Sequence, residues 1–146
     1  MTKEIYFDMD GTIANLYGVE GWLNDILNGS ARPYEIARPL VNLSSLARVL
    51  NRLQREGYKL GVISWLAKGS NAEYDEIVTK AKVEWLAKHL PSVEWDEINI
   101  VAYGTYKEVV AHHSKGILFD DEKPNRDYWN GVAYDVDNII EVLKNL

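Results

Sequence analysis

The sequence has no cysteine among its 146 residues. This absence excludes disulfide bridges and thiolate metal ligands, and it suits a reducing compartment such as the cytoplasm, where we expect the protein. Long apolar runs are also missing, since none approaches the ~20 residues that a membrane-spanning helix needs. The N-terminus leads directly into a strand-like run, so we expect no signal peptide.

Positively charged residues are also fewer than negatively charged ones. Lysine and arginine total 16 against 22 aspartates and glutamates, which gives a formal net charge of −6. Proteins that hold a long nucleic acid usually carry a basic stripe, and no long basic run occurs here. We therefore expect a small ligand rather than a long nucleic acid or a membrane. One or two cations suffice for such a ligand.

Short apolar runs are what the sequence does contain, and 47% of its residues are hydrophobic. Nearly continuous runs of this kind are typical of strands buried on both faces of a parallel sheet. With helical patterns between them, they predict right-handed crossovers and an α/β fold with a doubly wound, five-stranded parallel sheet. No repeat or linker interrupts the pattern, so we predict one domain over residues 1–146. The predicted strands span residues 4–8, 59–65, 98–103, 116–120 and 132–136.

The predicted helices are marked by spacing and by capping residues. Residues 40–56 carry leucines at three-and-four spacing and end before Gly57. The irregular segment 13–39 is rich in glycine and proline, and we predict a short flap or cap with one helix at residues 20–27. Capping patterns predict the starts of the remaining helices at Ser70 with Glu73, at Thr105 with Glu108, and at Asp137.

Two carboxylates directly follow the first predicted strand, in Asp8-Met9-Asp10-Gly11-Thr12. Ligands of open α/β sheets bind beyond the carboxyl ends of the strands. Both acids can face one site if the chain bends, and Gly11 permits a tight turn. A carboxylate held by a metal can attack phosphorus, so we predict Asp8 as nucleophile and Asp10 as proton donor to the leaving oxygen. A simple turn or a calcium loop is the alternative interpretation.

This motif resembles D-x-D-G-[TV], the first motif of phosphatases in the haloacid dehalogenase superfamily. The resemblance implies Mg²⁺-dependent hydrolysis of phosphate monoesters through a phosphoaspartate. It also implies that Gly11, Thr12 and a strand-end serine bind the phosphate. Ser64, at the end of the second predicted strand, fits that serine. The expected partner is then a small phosphorylated metabolite.

The superfamily further implies a lysine that neutralises phosphate charge and holds the nucleophile. Lys107 lies near the start of a predicted helix, where free N–H groups and the helix dipole attract anions. Lys115 is the rival, but it precedes a strand and would lie at the opposite edge of the sheet. We therefore predict Lys107.

An acidic pair follows the fourth predicted strand, and the resemblance assigns it to an oxygen-rich Mg²⁺ site. The implied ligands are Asp8, Asp121 and the backbone carbonyl of Asp10. Asp120 is then an alternative ligand, or it supports the site and holds the lysine. Ordinary surface acids are the other interpretation of the pair.

A closer resemblance in layout is to the 5′(3′)-deoxyribonucleotidase branch, carried by residues 74–86, 103–107 and 119–121. It implies (deoxy)nucleoside monophosphates as substrates. Lys82 matches a further lysine of that branch, although a solvated helix lysine is the simpler interpretation. That branch has a larger cap, so the short flap predicts an open site and broad, modest activity. Association of protomers could supply a lid, and Tyr17, Trp22 and Tyr34 could line an aromatic wall.

Two other functions are compatible with a phosphate site on this kind of sheet. A receiver-like signalling domain also combines a phosphorylated aspartate with Mg²⁺, serine or threonine, and lysine. Such domains place the accepting aspartate on a central strand, whereas the corresponding strand here ends in Ser64. A catalytically silent phosphate-binding domain is the second alternative, and the full set of charged groups argues against it.

Overall fold

A computed structural model describes residues 2–146 of the chain. The strands are β1 Glu4–Phe7, β2 Ala14–Asn15, β3 Arg38–Pro39, β4 Lys59–Trp65, β5 Glu97–Val101, β6 Ile117–Phe119 and β7 Val132–Tyr134. The helices are α1 Trp22–Leu27, α2 Arg32–Ile36, α3 Leu43–Arg55, α4 Ala72–His89, α5 Lys107–Val110, α6 Lys123–Tyr128 and α7 Ile139–Lys144. Two 3₁₀ turns, Leu16–Gly18 and Val136–Asn138, complete the described elements.

The main sheet has five strands in the order β5-β4-β1-β6-β7, and every neighbouring pair is parallel. The chain builds outward from β1 through β4 to β5, then returns to the other side of β1 for β6 and β7. The strand order therefore reverses beside β1, which is where such sheets bind ligands. The predicted five-stranded parallel α/β fold is confirmed.

Both faces of the sheet are covered. Successive side chains of β1 point to opposite faces and enter different core clusters. Ile5 and Phe7 are fully buried in the larger core cluster, together with the leucines of α3. Tyr6 belongs to a separate cluster with Leu118 and Trp129. The first strand of the chain is thus the middle strand of the sheet, with core packing on both of its faces.

The two ends of the flap, residues 13–39, pair with each other where the flap joins the main body. There β2 pairs antiparallel with β3, and the N–H of Leu40 donates to the carbonyl of Ile13 at 2.9 Å. The predicted helix at 20–27 is α1, two residues shorter, and α2 was not predicted. Tyr34 of α2 packs with Val78 of α4 in one buried cluster, so the flap rests on a long helix of the main body.

Several predicted helix starts were wrong by a few residues. Asn42 and Asn71 accept the N–H groups of the first turns of α3 and α4, so Leu40 and Ser70 lie outside the helices. Asparagine caps as well as serine, and the sequence pattern cannot rank adjacent candidates. Thr105 donates to the carbonyl of Ala102 at 2.7 Å instead of capping α5. Asp137 lies within a 3₁₀ turn before α7.

No helix within residues 2–146 is both long and apolar enough to cross a bilayer.

Candidate active site

The predicted site residues converge at the carboxyl edge of the sheet. Asp8 follows β1, Ser64 lies near the end of β4, and Asp120 follows β6, which are three adjacent strands. Lys107 reaches the same place from the first residue of α5. Lys115 is exposed just before β6, at the other edge, so the structure brings Lys107 to the acids and not its rival.

Asp8 is held by hydrogen bonds to both carboxylate oxygens. Its Oδ1 accepts from Lys107 Nζ at 2.9 Å, and its Oδ2 accepts from Thr12 Oγ1 at 2.9 Å. The residue is 7% exposed. Thr12 is fully buried, so its hydroxyl orients the predicted nucleophile; a contact of Thr12 with phosphate stays a prediction.

A tight turn after β1 makes this arrangement possible. The carbonyl of Met9 accepts the N–H groups of Thr12, Ile13 and Ala14 at 3.0 Å each. Gly11 has φ +81° inside the turn, and a Cβ there would collide with the Asp121 carboxylate. A side chain at this position would therefore strain the backbone and force the Asp121 carboxylate to move.

Lys107 is 2% exposed and bridges two acids, with Nζ 2.9 Å from Asp8 Oδ1 and 2.7 Å from Asp120 Oδ2. Burial alone would lower the pKa of Lys107, but the charges of Asp8 and Asp120 outweigh it and raise that pKa. The lysine is therefore cationic and fixed beside the predicted nucleophile.

Asp120 and Asp121 differ in how freely their oxygens can serve a ligand. Asp120 is fully buried, and its oxygens accept from Lys107, from Asn125 Nδ2 at 3.1 Å and from the Glu122 N–H at 2.9 Å. Asp121 is half-buried, and its Oδ1 has one long contact, 3.4 Å from Thr12 Oγ1. Asp121 is thus the member of the pair with free coordination capacity.

These acids fit a divalent cation. Asp8, Asp120 and Asp121 each offer an oxygen, and these oxygens lie within 4.8 Å of one another. Burial, reinforced by Asp8, raises the pKa of Asp121 to about 8, and burial with the Asp8 charge raises the pKa of Asp120 to about 6. A cation would relieve this repulsion, and an all-oxygen donor set suits Mg²⁺ or Ca²⁺.

Asp10 lies apart from this triad, because its side chain turns toward Lys82. Lys82 Nζ donates to Asp10 Oδ2 at 2.9 Å, to Ser64 Oγ at 2.7 Å and to the carbonyl of Trp65 at 2.6 Å. Burial raises the pKa of Asp10, while the charge of Lys82 opposes that rise. A raised pKa keeps a carboxyl protonated closer to neutral pH, as a proton donor requires.

The interpretation of Lys82 as a solvated helix lysine was wrong, since the residue is 1% exposed. A buried ammonium needs partners, and the site provides three oxygens. The sequence held a signal for this position. Lys82 follows Val78 by four residues and precedes Trp85 by three, so it lies on the apolar stripe of α4.

A cavity of about 420 Å³ opens above the acids. The three predicted aromatic residues of the flap, Tyr17, Trp22 and Tyr34, all line it. Tyr17 and Trp22 pack edge to face with ring centroids 5.0 Å apart, and the Tyr34 ring lies 5.1 Å from Lys82 Nζ. Trp65 at the end of β4 and Tyr103 in the loop after β5 also line the cavity, and sequence reasoning missed both.

Comparison with known proteins gives a fold and no more. No protein-family model and no curated protein sequence matches the chain. Among solved structures, the chain is similar to D,D-heptose 1,7-bisphosphate phosphatase from Burkholderia thailandensis, with a TM-score of 0.60 and 12% sequence identity. The similarity covers 99% of this chain and 97% of that one. The two chains share a fold.

Proposed function

We propose that this chain is a Mg²⁺-dependent phosphatase of the haloacid dehalogenase superfamily that hydrolyses small phosphate monoesters through a phosphoaspartate on Asp8. The observation that carries the proposal is the buried Asp8 carboxylate, held by Lys107 and Thr12 within a cluster of three acids. The fold shared with a sugar-phosphate phosphatase supports the same conclusion.

The first half-reaction transfers the phosphoryl group to the enzyme. A carboxylate oxygen of Asp8 attacks phosphorus in line with the ester oxygen, and the phosphorus–oxygen bond to the alcohol breaks. Asp10 donates its proton to the departing oxygen, so the alcohol leaves neutral. The products are the free alcohol, a phosphorylated Asp8 and an Asp10 carboxylate.

The second half-reaction restores the enzyme. A water molecule attacks phosphorus as Asp10 takes one of its protons, and the bond between phosphorus and Asp8 breaks. Inorganic phosphate is released, Asp8 is a carboxylate again and Asp10 is protonated again. The same residue acts as acid and then as base, as microscopic reversibility requires.

The residues that would hold Mg²⁺ are Asp8, Asp121 and the backbone carbonyl of Asp10, with Asp120 supporting them through Lys107. The ion would offset negative charge on the transferred group. Lys107 adds a fixed positive charge on the same side. These interactions strengthen as charge develops on the phosphoryl oxygens, so they lower the barrier.

Ser64 and Lys82 complete the proposed machinery. The Ser64 hydroxyl is fully buried and accepts from Lys82, so its own proton would be the one to donate to a phosphoryl oxygen. Lys82 also fixes the Asp10 side chain. A (deoxy)nucleoside monophosphate is the narrower substrate proposal, supported by the aromatic residues that line the cavity.

The direct test is phosphate release from a panel of monoesters by the purified protein, with Mg²⁺ and with EDTA. We expect turnover with Mg²⁺ that EDTA abolishes and that added Mg²⁺ restores. A receiver-like domain would accept a phosphoryl group without sustained turnover. A silent binding domain would show neither reaction, and both results would contradict the proposal.

A further inference from the structure

The cavity above the acids is lined mainly by apolar side chains from two parts of the chain. The flap contributes Leu16, Leu23, Ile26 and Leu27 besides its aromatic residues. The end of β4 with the loop after it, and the loop after β5, contribute Trp65, Leu66, Ala67 and Tyr103. A volume of about 420 Å³ is within the range of small-molecule sites, so the space can hold more than a phosphate group.

Trp65 brings this apolar lining up to the predicted phosphate position. Its Nε1 donates to the carbonyl of Thr105 at 2.9 Å, so the only donor of the indole is already used. The Trp65 ring centroid lies 5.5 Å from Lys107 Nζ, and Tyr103 packs against the same ring at 5.0 Å. A group attached to the ester oxygen would therefore meet aromatic surface near the site of attack.

The charges around the cavity disfavour a second phosphate. Its lining contains two lysines, and Lys107 is already engaged by Asp8 and Asp120. The other, Lys68, lies 5.8 Å from the centre of the Tyr103 ring at the exposed rim. Within residues 2–146 no arginine lines the cavity, while Glu122 adds negative charge. A second phosphate group would therefore have few positive side chains to balance its charge here.

Much of the apolar lining is open to water. Leu23 is 51% exposed, Leu27 is 73% exposed and Tyr103 is 51% exposed. Covering concave apolar surface of this kind is favourable, whereas a hydroxyl-rich group would lose hydrogen bonds to water with few partners in return.

From this lining, and resting on the phosphatase function proposed above, we propose that the substrate is a monoester of an alcohol carrying an apolar, ring-sized group. The group occupies the space between the flap residues and Trp65 with Tyr103. Polyhydroxy alcohols and bisphosphates are poor substrates. This class differs from the sugar bisphosphate named for the structural neighbour.

The kinetic test compares benzyl phosphate with glycerol 1-phosphate in Mg²⁺. Both are esters of primary alcohols, so the chemical step is similar and the ring is the main difference. We expect kcat/KM at least about thirtyfold higher for benzyl phosphate, which equals ~2 kcal/mol of differential transition-state binding. Fructose 1,6-bisphosphate should be slower than benzyl phosphate. Equal rates, or a preference for either polyhydroxy substrate, would overturn the inference.

A matched pair of variants locates the effect. Leu23→Gln places a polar group in the cavity lining, whereas Ile77→Gln makes the same kind of change at an exposed position of α4 outside it. We expect Leu23→Gln to reduce the benzyl-to-glycerol preference at least about threefold, or ~0.7 kcal/mol. Ile77→Gln should leave the preference unchanged. Equal behaviour of both variants would exclude the cavity as the source.

Binding of phosphonates separates this inference from the proposed function. In benzylphosphonate and methylphosphonate a phosphorus–carbon bond replaces the ester bond, and Asp8 cannot break it. Calorimetry in Mg²⁺ therefore measures binding without hydrolysis. If no ester is hydrolysed but benzylphosphonate binds more tightly, the phosphatase proposal fails and the apolar site stands. If esters are hydrolysed but both phosphonates bind equally, the phosphatase stands and the apolar site fails.

Discussion

The ammonium of Lys82 lies 2.9 Å from Oδ2 of Asp10, and both side chains are largely withdrawn from water. The lysine comes from α4 and the aspartate from the turn after β1, so the pair joins the helix that supports the flap to the predicted proton donor. A buried charge that loses its partner costs about 3–5 kcal/mol. Lys82 can donate to Oδ2 both when Asp10 is a carboxylate and when it carries its proton on the other oxygen, so the contact fixes the position of Asp10.

Lys82→Met should slow the step in which Asp10 delivers its proton. We expect a loss of about a hundredfold or more with alkyl phosphates, within the usual contribution of general acid catalysis. The loss should be less than tenfold with p-nitrophenyl phosphate, whose leaving group needs no proton. The ratio of the two rates does not depend on how much of the variant is folded.

Lys80→Met is the control, because Lys80 lies on the same helix with its side chain 78% exposed. It should leave both rates unchanged. Equal losses on the two substrates in Lys82→Met would show that Lys82 acts through Ser64 or through the fold and not on Asp10.

Asp8→Asn should abolish turnover, because an amide is a poor nucleophile and a poor metal ligand. Thermal unfolding followed by circular dichroism should show that the variant still folds. Asp127→Asn removes an exposed ion pair with Lys123 and should retain full activity, since such pairs contribute little. A normal rate in purified Asp8→Asn would reject the nucleophile.

The sequence was sufficient to predict the strand-end acids, because a carboxylate pair directly after a buried strand has few structural explanations. The family resemblance implied a lysine, and the expected start of a helix then favoured Lys107 over Lys115. Lys82 was mispredicted because most helix lysines are solvated, and its burial depends on the packing of α4 against the β1 turn. Trp65 and Tyr103 were missed as lining residues, since the packing of a strand end and a loop around the cavity depends on tertiary contacts that sequence periodicity does not encode.

Gly11→Ala should disturb the metal site as well as the backbone. A non-glycine residue in the left-handed region costs about 1–2 kcal/mol, and the added methyl group would also collide with Asp121. Gly29→Ala is a matched control, because Gly29 has φ +77° and open space around it. We expect both variants to lose stability in denaturant titrations, Gly11→Ala more than Gly29→Ala, and a higher Mg²⁺ requirement only in Gly11→Ala. An unchanged Mg²⁺ requirement would argue against Asp121 as a ligand.

Mg²⁺ itself should stabilise the protein, since it would relieve repulsion among Asp8, Asp120 and Asp121. At a hundred times its Kd, a ligand that binds only the folded state adds about 2.7 kcal/mol. Asp121→Asn should raise the Tm of the metal-free protein and remove most of the Mg²⁺ effect. A variant that is less stable without metal and still responds fully to Mg²⁺ would contradict the assignment.

The last prediction concerns nucleotides and the flap. Deoxythymidine 5′-phosphate and deoxyribose 5-phosphate share the phosphate and the sugar ring, so their ratio of kcat/KM isolates the base. Stacking on an aromatic residue contributes about 1–3 kcal/mol per base, so we expect a preference of roughly ten- to a hundredfold for the nucleotide. Trp22→Leu should lower this ratio, while Trp95→Leu, at a position outside the cavity lining, should not.

A ratio above roughly a thousandfold, about 4 kcal/mol, would exceed what an open cavity can supply. Such a result would require specific hydrogen bonds to the base, and it would identify a dedicated nucleotidase.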